Sequence, residues 1–169
     1  MALTLKMTED TERLEKRDEC LQYLRKNKVD VGLTSNASGR SRFLLGIHTH
    51  GSPVMHIPPR PVVQPALHRE GLQQEMSEFL MDSCQAAFDG NMAGTVAGME
   101  GCGKRGADGI REYIDGGIAP PNSPVTLSGG WIYNRVAGKG VQVAGKGFDK
   151  PMYNTGELYE SFSSEVVSK

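Results

Sequence analysis

Apolar positions along this chain first recur at helical spacing. In TEDTERLEKRDECLQYLRKN, from Thr8, the residues Leu14, Arg17, Leu21 and Leu24 share one face, with Cys20 beside it. So narrow a stripe predicts a surface helix, with a threonine or Asp10 as its cap and Arg25, Lys26 and Lys28 near its negative end. KVDVGLT then alternates at Val29, Val31 and Leu33, the period-2 signature of a half-buried strand, and residues 36–40 (NASGR) read as a loop. RFLLGIHTHG, residues 42–51, fits either a strand or a short helix closed by its glycine.

HIPPRPVVQPAL, residues 56–67, places four prolines in twelve residues. Each proline fixes its own φ and pushes the residue before it towards an extended conformation, so residues 57–64 should form a stiff strap. The strongest helical pattern follows, with Leu72, Met76, Phe79, Leu80, Ser83 and Ala87 in phase and a stop at Asp89-Gly90-Asn91. Cys84, beside that apolar face, is expected to be a buried and inert thiol. Residues 92–109 are small and glycine-rich, and GIREYIDGG regains helical character at Ile110, Tyr113 and Ile114. Together they predict one broken or tilted helical region ending at Gly116-Gly117.

APPNSPVT predicts a rigid turn in which Asn122 or Ser123 bonds nearby backbone. Beyond it, VAGKG occurs at 136–140 and again at 143–147. Two copies are too few for a solenoid, and the glycines suggest a long mobile loop or ribbon carrying Lys139 and Lys146. MYNTGELYESFSSEVV offers Asn154 or Thr155 as a cap, a short helix through Phe162, and a strand at Val166 and Val167.

Composition narrows the class. The 169 residues suit one domain, and 38% hydrophobic content with 7% aromatic residues predicts a thin core. We divide the chain into an N-terminal helical arm, 1–28, and a single domain, 29–169. A formal charge of −1 gives no reason to expect nucleic acid or an anionic membrane as the main partner. Cys20, Cys84 and Cys102 are odd in number and unpaired in spacing, which argues against a disulfide framework and for a reducing cytosol. The N-terminus becomes charged before any apolar segment develops, and no apolar run approaches the ~20 residues that span a bilayer, so a soluble, unsecreted chain is expected.

Several patterns carry candidate chemistry. GMEGCGKR, residues 98–105, nearly matches a phosphate-binding loop, with Lys104 at the lysine position. Arg105 stands where a hydroxyl is needed, and no apolar strand precedes Gly98. His48 and His50 on a strand would point to one face, and with His56 suggest a metal, but no cysteine or carboxylate nearby completes a site. The same histidines are candidates for contacts between subunits. Glu70, Glu75, Glu78, Glu157, Glu160 and Glu165 are spaced as on solvated helix faces, and serine-nucleophile motifs are absent. No catalytic residue, cofactor or metal site is assigned.

Three segments taken in order change the expectation. VDVGLTS leads to FLLGIHTHGSPVMHIPPRPVVQPAL, followed by PPNSPVT and then KPMYNTGELYESFSSEVV. Together they resemble the neck and tail-completion proteins of tailed bacteriophages, including the virion morphogenesis family. Ile57, Pro58, Pro59, Arg60, Pro61, Pro65, Ala66 and Leu67 match that group's I-P-x-R-P-F-x-x-P-A-L strap, with Val62 or Val63 in place of phenylalanine. Asn122 to Thr126 looks like its L-S-P-x-T segment, and Lys150 to Leu158 like K-P-L-x-D-T-G-x-L, with Asn154 for the aspartate.

The resemblance spans roughly residues 29–167 and leaves out the N-terminal helix and the doubled VAGKG. It implies an α+β fold in which a small, mostly antiparallel sheet packs against one long helix, with an N-terminal helix and long glycine-rich loops. It further implies a homo-oligomeric ring at the head-tail junction of the virion, assembled in the host cytoplasm between portal or head-completion proteins and the tail. A tail terminator or another tail protein is the near alternative, and a small nucleotide- or metal-binding enzyme the distant one. In the ring reading, Arg60, Trp131, Lys139 and Lys146 are the candidate interface or lumen contacts, with DNA as a passing, sequence-independent partner of the lysines.

Overall fold

A computed structural model describes residues 2–54, 56–134 and 138–169, with side chains from residue 11 onward except that of residue 134. Its helices are α1 (Ala2–Lys26), α2 (Gly39–His50), α3 (Val63–Leu67), α4 (Glu70–Phe88), α5 (Met92–Asp115), α6 (Pro124–Ser128) and α7 (Glu157–Glu160). Its strands are β1 (Asn27–Gly32), β2 (Gly129–Asn134), β3 (Lys139–Ala144) and β4 (Ser163–Ser168). The fold is α+β, with two small antiparallel sheets among the described residues.

The first sheet joins the two ends of the chain. β1 pairs with β4 from Asn27 opposite Ser168 to Gly32 opposite Ser163. Both strands lie on α5, whose other side carries α4, so α5 is the middle layer. The helix against the sheet is thus the glycine-rich one, not the strongly patterned α4. Six glycines in its 24 residues cost about 5–6 kcal/mol of helix propensity relative to alanine. Packing explains why the segment is nevertheless one unbroken helix rather than the broken region expected. A Cβ at Gly98 would lie 2.5 Å from the Ser83 Cβ and 2.8 Å from the Phe79 carbonyl oxygen on α4. At Gly103 it would meet Ser164 and Val29 of the sheet at 2.7 and 2.8 Å. Bare backbone is what lets both neighbours approach.

The main core gathers at the C-terminal half of α5, where Ile110, Ile114 and Ile118 meet Val62 and Ala66 of the strap region and Met152, Leu158 and Phe162 of the C-terminal segment. Arg111 holds the last of these in place by donating to the Phe162 carbonyl. Of the α4 positions in phase, Leu72, Ser83 and Ala87 are buried; the Ser83 hydroxyl donates to the Thr95 carbonyl. Cys84 is exposed, contrary to expectation, because it falls one residue past Ser83 and turns onto the open flank beside Leu80.

Other boundaries shift for local reasons. α1 begins at Ala2, ahead of the cap expected at Thr8 to Asp10, since ALTLKM consists largely of good helix formers. Its C-terminal part is no free arm: Cys20 is buried and the helix packs on α4 and α5. Residues 42–50 are helical, in a helix started by Ser38, whose hydroxyl accepts from the Ser41 amide at 3.0 Å, and closed by Gly51 at φ 73°. The helix therefore takes Gly39 and Arg40 from the expected loop. Of the loop or ribbon expected around Lys139 and Lys146, the ribbon is what forms: a hairpin of β2 on β3, with Gly129 opposite Ala144. Val136 and Ala137 of the first VAGKG lie outside the described residues. α7 stops at Glu160, short of Phe162, and β4 takes over at Ser163.

Candidate functional site

A groove of about 1140 Å³ is walled by α2, the strap region, α6 with the hairpin, and residues 152–158. α2 contributes Leu44 and His48, one turn apart on the same face. The strap and the turn before it contribute Val54, His56, Ile57, Pro58 and Arg60. α6 and the hairpin add Val125, Ile132, Tyr133 and Val143, and residues 152–158 close the far wall.

Local hydrogen bonding fixes these walls. Ser52 and Ile57 exchange backbone bonds of 2.8 and 3.0 Å around a tight turn, leaving His56 at φ 53°. The strap is then locked by Arg60, only 5% exposed. Its Nε donates to the Pro120 carbonyl at 2.7 Å and a terminal nitrogen to that of Pro121 at 2.8 Å. Arg60, expected as an interface contact, makes these bonds within its own chain. Proline carbonyls in a turn have no ladder partner, and the planar guanidinium satisfies two at once.

The groove floor is cationic. The Lys146 ammonium donates to the Lys150 carbonyl at 2.9 Å and sits 4.7 Å from the centre of the Phe148 ring. Burial pushes its pKa down, with Asp149 opposing and Arg60 adding to the fall. His48 is likewise held below the ordinary histidine value, first by burial and then by the charges of Arg60 and Lys146, so it is neutral at pH 7. Its Nδ1 is buried with no hydrogen-bond partner among the described residues. Asp149, the nearest counter-charge, is already engaged by the Asn122 amide and side chain at 3.1 and 2.9 Å. At the rim, Arg40 pairs with Glu157 at 3.3 Å.

The other candidates separate. Trp131 stands 70% exposed on the hairpin, outside the groove lining, and Lys139 is exposed where β3 begins. Lys146, bonded and half-buried, is no loop tip. His48 and His50 lie on a helix, where residues two apart diverge by about 200°, which undoes the shared face a strand would have given them. His48 and His56 line the groove and His50 does not. No group of three or more His, Cys, Asp or Glu suited to a metal ion occurs among the described residues. Residues 98–105 form the interior of α5 rather than a phosphate-binding loop. Burial raises the Cys102 thiol pKa, which keeps it protonated and unreactive.

One surface was missed at the sequence level. α4 exposes Leu80, Met81, Cys84 and Phe88 along one stripe, with Met81 at 70% and Phe88 at 59%. The signal was present in Phe79-Leu80-Met81, because three successive apolar residues cannot all face one core. No helix among the described residues is long and apolar enough to cross a membrane. No family model, curated protein or solved structure matches the chain.

Proposed function

We propose that this chain is a structural subunit of a tailed-phage neck, forming a homo-oligomeric ring that joins the head connector to the tail. The observation that carries the proposal is the hairpin. Its main neighbour is the five-residue α6, yet it exposes Trp131, Ile132 and Tyr133 in succession. A two-stranded ribbon is marginal in water by itself, and contiguous exposed apolar surface marks an interaction site. Packing between copies stabilises such a ribbon, and closed rings of like subunits are a common way to provide it.

The sequence resemblance supplies the location, the virion's head-tail junction, and the neighbours, portal or head-completion proteins above and tail proteins below. In this reading Lys139, exposed at the free end of the hairpin, is the lysine available to passing DNA through its charge alone. Lys146 lines the groove instead. Electron microscopy of particles from a phage carrying a stop codon in this gene tests the proposal. DNA-filled heads beside free tails of normal length are expected. Missing or overlong tails would instead assign the chain to tail assembly, and intact infectious virions would refute a structural role.

A further inference from the structure

Two surfaces remain without a partner, and their chemistry is opposite. α4 carries four acids and no basic residue, and Glu78 and Asp82 lie beyond Met81 on one side of its exposed stripe of Leu80, Met81 and Phe88. Neither of these two acids pairs with a cation among the described residues. The groove has apolar walls and an excess of permanent positive charge, with Arg40, Arg60 and Lys146 against Glu157 alone. At about 1140 Å³ it exceeds the roughly 300–1000 Å³ of small-molecule pockets, so a polypeptide segment fits it better than a metabolite. α4 lends no residue to the groove of its own chain.

We infer that the groove of one copy receives the α4 stripe of the next, with Met81 and Phe88 against the apolar walls and Glu78 and Asp82 towards Arg40, His56 and Lys146. This rests on the ring reading above and names its contact. The two patches differ, so the contact is head-to-tail, and a head-to-tail contact whose rotation closes generates a ring. A helix laid by its apolar stripe into a groove is a recurring recognition mode, read as anchors at i, i+3/i+4 and i+7; Met81, Cys84 and Phe88 have that spacing. The unpartnered His48 Nδ1 gains an acceptor or donor when a polar side chain enters.

The test uses the full-length chain in two variants. One reverses the helix, Glu78→Lys with Asp82→Lys, and the other reverses the groove, Arg40→Glu with Lys146→Glu. Each alone places like charges together and is expected to weaken self-association by about a hundredfold or more in sedimentation. Mixed, they restore assembly, because every helix then meets a groove of opposite sign. A mixture that stays dissociated overturns the inference.

A second measurement covers the case in which the groove variant fails to fold. Cys84 lies inside the stripe, so its alkylation in the unaltered protein is expected to slow about tenfold or more on assembly, as burial removes access to the thiol. Equal rates in assembled and dilute protein overturn the contact. Rings that form regardless of the helix variant overturn it too, while leaving the ring reading in place. A chain that stays monomeric at every concentration refutes both.

Discussion

GMEGCGKRG in α5 and VAGKGVQVAGKG around the β2–β3 hairpin are nearly the same kind of text, glycines interleaved with lysines and small residues. Their fates are opposite. In α5 the missing side chains admit α4 on one face and the β1/β4 sheet on the other, and Gly98, Gly103 and Gly106 are buried. In the hairpin, glycine instead serves the backbone at its base, where Gly129 has φ 77° and Gly130 φ 146°. There the large side chains of Trp131 and Tyr133 face outward. The neighbours of a glycine, rather than glycine content, decide whether a segment becomes the centre of a body or a surface offered to another chain.

That contrast breaks most sharply at Gly98. A valine there is expected to destabilise the protein by about 3 kcal/mol, because the Ser83 Cβ and the Phe79 carbonyl stand where its side chain must go and α4 has to be pushed off. For a chain of this size that lowers Tm by about 6–12 °C. Gly140→Val in the hairpin is the matched control, since a Cβ there first meets Trp131 at 3.4 Å, an ordinary contact. Its effect should stay within about 0.5 kcal/mol. Equal Tm losses for the two would mean that the hairpin is as tightly packed as the body.

A smaller effect belongs to the joint between the two regions. Arg60 connects the strap to the turn that leads into α6 and the hairpin. Arg60→Met keeps the stem and removes both hydrogen bonds, for an expected loss of about 2 kcal/mol in denaturant unfolding. Arg60→Lys should recover only part of this, because an ammonium lacks the planar fork that meets two carbonyls. Full recovery by lysine would show that charge, and not the fork, holds the joint.

What could be read from the sequence follows the same division. β1 was legible from the alternation of Val29 and Val31, β4 from the β-branched Val166 and Val167, and the strap from its prolines as far as Val62, because these are local properties; Val63 and Gln64, expected in the strap, belong to α3. The continuity of α5 was not legible, because its stability comes from tertiary packing that overrides a poor propensity. The partners of Arg60 within the chain were not legible, because the Pro120 and Pro121 carbonyls to which it donates lie 60 and 61 residues away. For the groove, His48 and His56 had been marked as contact candidates. Leu44 and Val143 had not, since nothing local says that an α2 face and a β3 face look at each other.

The smallest expected change in stability is the most informative about assembly. Trp131→Ala removes the largest exposed apolar side chain of the hairpin, and because that ring buries little within its own chain, thermal unfolding at low protein concentration should move by less than about 0.5 kcal/mol. Self-association is a different matter. Tryptophan is among the residues that most often carry interface energy, and truncating one at a contact costs about 2 kcal/mol or more, a loss of roughly thirtyfold in affinity. The two measurements on one variant separate the possible roles of the hairpin. Stability lost without assembly lost would make Trp131 part of the body. Assembly lost with stability intact is the result expected of a surface whose packing is completed by the next copy.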